Sequence, residues 1–276
     1  MNQVLEQTFT GKVALVTGGG TGIGKGIVKE LAARGAHVII ASRSLENLAP
    51  TVAEVSAEGG SIEAHILDVR NTDQIEALLK TIKQTRHGVD FLINNAAGNF
   101  LVPTRKLSYN GWKTVVDIVL NGTFYCTKVF GEDMIERGEG GKIINIVATY
   151  AWHGSPGVVH SAAAKAGVVA LTRSLAVEWA PYHLQINAIA PGPIEGTGGQ
   201  ERLFPSEVVE AVRQSIPAKR LGQTREIGLA AAFLLSPDAS FITGEVLTVD
   251  GGAWLGKGML EKFADVPTFR GGAPTA

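Results

Sequence analysis

A single cysteine, Cys126, stands in 276 residues. It excludes an intrachain disulfide and fits a reducing compartment. In its apolar helical setting it reads as a small buried hydrophobe. Charge of one sign is missing as well: 25 Lys and Arg face 26 Asp and Glu, a formal net charge of −1. That balance supplies no electrostatic footprint for DNA, RNA or an anionic membrane, so any phosphate recognition must be local. No apolar run approaches the ~20 residues of a membrane-spanning helix. The polar stretch from Met1 to Thr10 lacks the patterns of a secretory leader or a transit segment. Ala273-Pro274-Thr275-Ala276 matches no targeting tripeptide. Repeats and low-complexity linkers are absent too. The expectation is a cytoplasmic protein with no nucleic acid or membrane as partner and no metal site.

What is present is a rhythm of short β-branched runs and longer helical patterns. Strands are predicted at Val13 to Val16, His37 to Ala41, Ile62 to Leu67, Phe91 to Ile93, Lys142 to Val147, Gln185 to Ile189 and Val246 to Val249. Helices are predicted at Ile23 to Arg34, Leu45 to Glu58, Thr72 to Arg86, Tyr109 to Ile118 and Gly122 to Glu136. Further helices follow at Val158 to Trp179, Pro205 to Gln214 and Arg225 to Leu235. The strands are apolar throughout, as burial on both faces requires. The expectation is an α/β fold: one Rossmann-type, doubly wound, parallel seven-stranded sheet with helices on both faces. No boundary divides residues 1–276, so one domain is expected. It includes a substrate loop at about 192–214 and a tail at about 255–276.

Thr17-Gly18-Gly19-Gly20-Thr21-Gly22-Ile23-Gly24 follows the first strand and opens the first helix. Glycines there let the backbone approach a pyrophosphate, and the helix N-terminus offers free N–H groups and partial positive charge. Gly18, Gly20, Thr21, Gly22, Ile23 and Gly24 are therefore candidate dinucleotide contacts. The second strand ends in Ala41-Ser42-Arg43, with no carboxylate for a ribose 2′-hydroxyl. Ser42 and Arg43 instead suit a 2′-phosphate, which selects NADP(H) over NAD. Asp68, followed by Val69, closes the third strand and is placed to accept from an adenine amino group. Asn95 and Ala96, within Asn94-Asn95-Ala96-Ala97-Gly98, let the chain pass close under a cofactor ribose.

Together these features resemble the short-chain dehydrogenase/reductase family. The resemblance runs from Gly11 to Trp254 and includes Asn121, the helix bearing Lys165, Pro191-Gly192-Pro193-Ile194 and Val249-Asp250-Gly251-Gly252. Most members carry a catalytic Tyr four residues before the Lys and a Ser on the fifth strand. Here those positions read Ser161 and Ala148, while Tyr150 lies two residues past Ala148. One branch shares this pattern. Asn94 to Phe100, Thr149-Tyr150-Ala151 and Ser161 to Gly167 resemble the 2,4-dienoyl-CoA reductases, of the mitochondrial and bacterial type.

The resemblance implies reduction of a 2,4-dienoyl-CoA to a 3-enoyl-CoA by NADPH in unsaturated fatty acid degradation. Hydride would reach Cδ, and the dienolate would be protonated at Cα. Tyr150 and Asn99 would donate to the thioester oxygen, with Lys165 on the nicotinamide ribose and its charge favouring ionised Tyr150. Ser161 would lie near the nicotinamide, and Asn121 would hold a water near Lys165. Pro191, Gly192 and Ile194 would line the nicotinamide side, with Ile194 bonding the carboxamide through its backbone. Arg70 and Arg202 are candidates for the phosphates of an acyl-CoA partner, with Phe100 and Ser108 near the thioester. His160 reads as a packed or solvent-facing residue. Trp112, Trp152 and Trp254 read as core or interface aromatics. A homotetramer is implied. Two other readings stay open: a 3-oxoacyl thioester reductase or other short-chain alcohol dehydrogenase, and a non-catalytic nucleotide-binding scaffold.

Overall fold

The β-branched runs lie side by side. In the computed structural model, which describes residues 8–198 and 206–255, they are β1 (Val13–Thr17), β2 (His37–Ser42), β3 (Ser61–Ile66), β4 (Phe91–Asn94), β5 (Gly141–Ile146), β6 (Leu184–Pro191) and β7 (Val246–Val249). All neighbours pair in parallel, in the order β3-β2-β1-β4-β5-β6-β7. The chain winds outward from β1 in one direction, then returns to β4 and winds outward in the other. Loops at the carboxyl ends of β1 and β4 therefore diverge and leave a crevice, where ligands of such sheets bind.

Helices cover both faces. They are α1 (Gly22–Ala33), α2 (Ala49–Ala57), α3 (Thr72–Thr85), α4 (Tyr109–Val116), α5 (Gly122–Arg137), α6 (Tyr150–His153), α7 (Val159–Trp179), α8 (Ser206–Ser215) and α9 (Thr224–Leu235). Alternation along β1 explains the two layers. Ala14 and Val16 join a core with Ile27, Leu31, Ile227 and Leu235 from α1 and α9. Val13 and Leu15 join a second core with Ile75, Leu78, Phe130 and Met134 from α3 and α5. Each fully buried side chain of this size contributes ~1.5–3 kcal/mol relative to exposure.

Three expectations needed correction. The helix predicted from Leu45 to Glu58 is a 3₁₀ turn at Leu45–Asn47 followed by α2, because Pro50 sits in the first turn of α2 and a proline suits a helix start rather than its interior. The helices predicted at Tyr109 to Ile118 and Gly122 to Glu136 are one continuous helical run. A π turn, Asp117–Asn121, joins α4 to α5. Finally, α6 was not expected: Tyr-Ala-Trp-His is too short to show a helical period.

A buried polar line crosses the sheet. Asn94 Nδ2 donates to Thr127 Oγ1 and to Asn145 Oδ1, both at 2.9 Å, and Asn145 Nδ2 donates to Thr172 Oγ1 at 2.9 Å. It ties β4 to β5, and β5 to α7. Asn71, rather than Thr72, caps α3: its side chain accepts from Gln74 N.

Candidate active site

The nucleotide side is built mainly from backbone. Gly18 has φ +66°, and a Cβ on it would lie 3.2 Å from the backbone of Ala96. A Cβ on Gly24 would fall 2.2 Å from Gly18 O, so the turn closes only with glycine at both places. Thr21, the N-cap of α1, makes no side-chain cap bond. The first-turn N–H groups, from Gly22 and Ile23 onward, therefore lack a side-chain acceptor from the cap and suit an anion. Gly20 lies against Asn47 O, where a side chain would clash.

Asn95 braces this turn. Its Nδ2 donates to Thr17 O and Gly18 O, both at 3.0 Å. The backbone N–H groups of Asn95 and Ala96 both donate to Thr17 Oγ1 at 3.0 Å. Thr17 was not singled out from the sequence, yet it locks the ends of β1 and β4 together. The Asn95 side chain is thus occupied by the protein, leaving backbone as the part of this segment free to line a ribose.

At the end of β2, Ser42 Oγ donates to Ser44 O at 2.9 Å. Arg43 is exposed and, among the described residues, forms no ion pair. An uncommitted guanidinium beside a hydroxyl, with no carboxylate nearby on the strand, fits a 2′-phosphate. Asp68 is differently engaged. Arg70 grips it with Nε at 2.9 and 3.1 Å and Nη2 at 2.5 Å, holding its carboxyl below the usual range. The pair lines a polar cleft of 430 Å³ with Asn71, Lys113, Asp117 and Tyr125. Lys113 is likewise paired, with Asp117. Arg70 must leave Asp68 to meet a CoA phosphate. Val69 packs into the fold against Gly122.

The other side, where the catalytic candidates lie, is built from side chains on three segments. Tyr150, at the start of α6, places its hydroxyl 3.0 Å from Ser161 Oγ on α7. Asn99, after β4, donates from Nδ2 to the same phenol oxygen at 3.3 Å, while its Oδ1 accepts from Phe100 N at 2.9 Å. Ser161 and Lys165 stand four apart on α7 and so share a face. Ser161 bonds Tyr150 rather than its own helix backbone. Lys165 is 5% exposed and donates from Nζ to Ile146 O at the end of β5. Burial lowers its pKa to about 8. Burial also raises the Tyr150 pKa, outweighing the hydrogen bonds from Ser161 and Asn99, which lower it. The expectation that Lys165 would favour ionised Tyr150 is therefore corrected: desolvation wins, and the phenol stays a neutral donor near pH 7.

Asn121 sits in the π turn, where Nδ2 donates to Asp117 Oδ1 at 2.9 Å. Ser108 caps α4, accepting from Gly111 N at 3.0 Å, so its hydroxyl is a structural acceptor. Phe100 is half-exposed and leans on His160, with ring centroids 4.5 Å apart. His160 is buried, and burial lowers its pKa, outweighing a backbone hydrogen bond at Phe100 that raises it. It is packed rather than solvent-facing.

After β6, Gly192 N donates to Val249 O at 3.0 Å, and a Cβ on Gly192 would lie 2.6 Å from Asp250 Cβ. Ile194 is buried and bridges Gly222, using the Glu195 N–H and the Pro193 carbonyl. Its own N–H takes no part in that bridge. Thr197, which sequence reasoning missed, donates to Ile194 O at 3.0 Å and lies against Gly22 at the mouth of α1. Its signal was a hydroxyl three residues past Ile194. Arg202 and most of the tail at about 255–276 lie outside the described residues. Among the described residues, no cluster of three or more His, Cys, Asp or Glu can hold a metal ion. No helix there is long and apolar enough to cross a membrane.

Comparison with known proteins adds to this geometry. Residues 18–253 match a family model described as enoyl-(acyl carrier protein) reductase. A Bacillus subtilis (strain 168) protein named probable 2,4-dienoyl-CoA reductase, (2E)-enoyl-CoA-producing, is 48% identical over 246 residues, covering 88% of this chain and 97% of that one. A Danio rerio protein named peroxisomal 2,4-dienoyl-CoA reductase, (3E)-enoyl-CoA-producing, is 44% identical, covering 88% and 82%. A crystal structure of a short chain dehydrogenase from Bacillus anthracis superposes with TM-score 0.82 at 47% identity, covering 88% and 97%. A gluconate 5-dehydrogenase from Burkholderia cenocepacia, crystallised with NADP and tartrate, superposes with TM-score 0.84 at 31% identity, covering 91% and 98%.

Proposed function

The chain belongs to the short-chain dehydrogenase/reductase family of oxidoreductases, and from that membership we propose that it reduces 2,4-dienoyl-CoA thioesters with NADPH. One observation carries the reading. A phenol, Tyr150, is presented to the crevice by Ser161 and Asn99, from a position displaced from the one its family normally uses. A ketone reductase protonates the oxygen next to the carbon that accepts hydride. In a dienoyl thioester the oxygen lies several bonds away, and a displaced donor suits that reach.

When bound, NADPH supplies the hydride that adds to Cδ. The residues present fit it: a glycine turn with no room for side chains, an open helix N-terminus, and Arg43 with Ser42 for a 2′-phosphate. The NADP-bound relative supports the same choice. As the Cγ=Cδ bond accepts hydride, electrons move through the conjugated unit to the thioester oxygen. Tyr150 donates a hydrogen bond to that oxygen. Asn99, by donating to the phenol oxygen, makes the phenol a stronger donor. Stabilising developing charge in this way is usually the largest catalytic contribution. Lys165 keeps the ribose end of the site electropositive, and the Ile194 N–H suits a carboxamide.

Protonation at Cα then gives the 3-enoyl thioester; protonation at Cγ gives the 2-enoyl isomer. The two named relatives differ on this point. We favour Cα, with water as donor. His160, whose pKa is lowered by burial, is no ready acid for Cγ. The same proposal covers unsaturated fatty acid degradation, a cytoplasmic setting and a homotetramer. Exposed Val177, Phe233 and Phe241 support burial against further copies.

The test is a paired assay of NADPH consumption. Hexadienoyl-CoA should be reduced and an acetoacetyl thioester left untouched; the reverse result overturns this assignment in favour of an alcohol dehydrogenase. Turnover of neither substrate favours a nucleotide-binding scaffold. NMR of the product then locates the double bond, and a 2-enoyl product rejects protonation at Cα.

A further inference from the structure

The helix that presents Tyr150 has little of its own to hold it. A four-residue helix cannot persist on its own hydrogen bonds, and no residue of α6 is fully buried. Its backbone bonds are local: Ala151 N to Ala148 O, and Trp152 N and His153 N to Thr149 O. The His153 ring hydrogen-bonds locally, with Thr149 Oγ1 and Gly154 O. Among the described residues, side chains of α6 make a hydrogen bond or ring contact beyond this turn at two places. One is the Tyr150 hydroxyl. The other is the Trp152 indole, which meets Trp254 edge to face, with centroids 5.7 Å apart and planes at 88°.

The hydroxyl is also the group that meets substrate: while it donates to a substrate oxygen, its own oxygen can still accept from Asn99 Nδ2 and Ser161 Oγ. The indole contact is the second hold on α6.

Trp254 is itself fixed. Asp250, just past β7, accepts from Gly252 N and from Trp254 N, both at 2.8 Å. The same Asp250 packs on Gly192, so closely that a Cβ there would fall 2.6 Å from its own. Gly192 lies on the loop after β6, on the nicotinamide side. One turn therefore touches that loop and, through two indoles, the helix bearing Tyr150.

We propose that Trp254 and Trp152 form a latch that sets the span between the nicotinamide-side loop and the Tyr150 hydroxyl. Trp254 is then a positioning residue for the reduction. The inference rests on the role given to Tyr150 above. The chemistry demands such a span. The hydride acceptor and the thioester oxygen stand at opposite ends of one conjugated unit, so two points must be held at a set separation. Misplacement by about 1 Å costs on the order of 10²-fold in rate.

The experiment compares Trp254→Ala, Trp254→Phe, Trp152→Ala and Tyr150→Phe as full-length NADPH-loaded enzymes on hexadienoyl-CoA. Trp254→Ala should lower kcat by roughly 10- to 100-fold, with KM and NADPH affinity nearly unchanged. Trp254→Phe, which keeps an edge-on ring, should recover most of that loss. Trp152→Ala removes the same contact from a half-exposed side chain and should match Trp254→Ala. The double alanine variant should be no worse than either single one, since both act through one contact. Circular dichroism should lose the exciton signal of the paired indoles in each Trp variant.

Wild-type kcat in Trp254→Ala or Trp152→Ala overturns the latch, as does a loss that tracks melting temperature and is not rescued by Phe. A Tyr150→Phe enzyme with full turnover instead removes the underlying role of Tyr150, and the latch with it. An inactive Tyr150→Phe beside a fully active Trp254→Ala removes the latch alone.

Discussion

The two halves of the crevice are made of different materials. On the β1 side, recognition is backbone: a glycine turn, an open helix end, and an Asn95 side chain spent on holding the turn shut. On the β5 side, the proposed chemistry falls to a phenol, an amide, a hydroxyl and an ammonium from three separate segments. Backbone geometry follows closely from which positions are glycine. Side-chain geometry depends on packing among remote residues. That difference explains how a tyrosine can move along the fold without disturbing the cofactor site.

The sharpest way to break this division is Tyr150→Phe. Losing one donor to the developing charge should cost about 10²–10³ in kcat, while NADPH binding, measured by fluorescence titration, stays within about twofold. Weakened NADPH binding would mean the halves are not separable. The converse change is Arg43→Ala. Losing charge-assisted bonds to the 2′-phosphate should raise KM for NADPH by about 10- to 100-fold, leave kcat nearly intact, and leave NADH unaffected. An equal loss with NADH would remove Arg43 from phosphate recognition.

The smallest effect is expected where the halves meet, at Lys165. With its pKa lowered to about 8, the cation is lost as pH rises through that value. Turnover should then fall by less than about tenfold in all between about pH 7 and 10, and a flat profile over that range would separate Lys165 charge from catalysis. The effect on folding has the opposite sign. The unfolded chain keeps this proton up to the ordinary value of 10.5. The cost of the buried cation is therefore fully present below pH 8 and relieved between 8 and 10.5.

Legibility in the sequence follows the same division. The seven strands and the glycine turn were readable because each is a local pattern: an apolar run, or glycines after a strand. Tyr150, Ser161, Asn99 and Lys165 were singled out through family resemblance, but how they meet was not legible. Asn99 donates to Tyr150, 51 residues away in the chain. No local pattern encodes that bond. The π turn at Asp117–Asn121 was hidden because both flanks look helical; Asn121 Nδ2 on Asp117 Oδ1 spans it. Arg70, a phosphate candidate by resemblance, pairs with a carboxylate two residues away, a bond its own sequence position did not announce.

Apolar strands of Val, Ile and Leu are interchangeable partners, and nothing in their side chains forbids one from sliding along its neighbour. The line from Asn94 through Asn145 to Thr172 removes that freedom. Shifted by a single residue, β5 would turn its asparagine to the opposite layer and strand two amides among hydrocarbons. The amide pair thus works as an index mark: it sets where β5 ends, and so where the chain turns toward Ala148 and Tyr150.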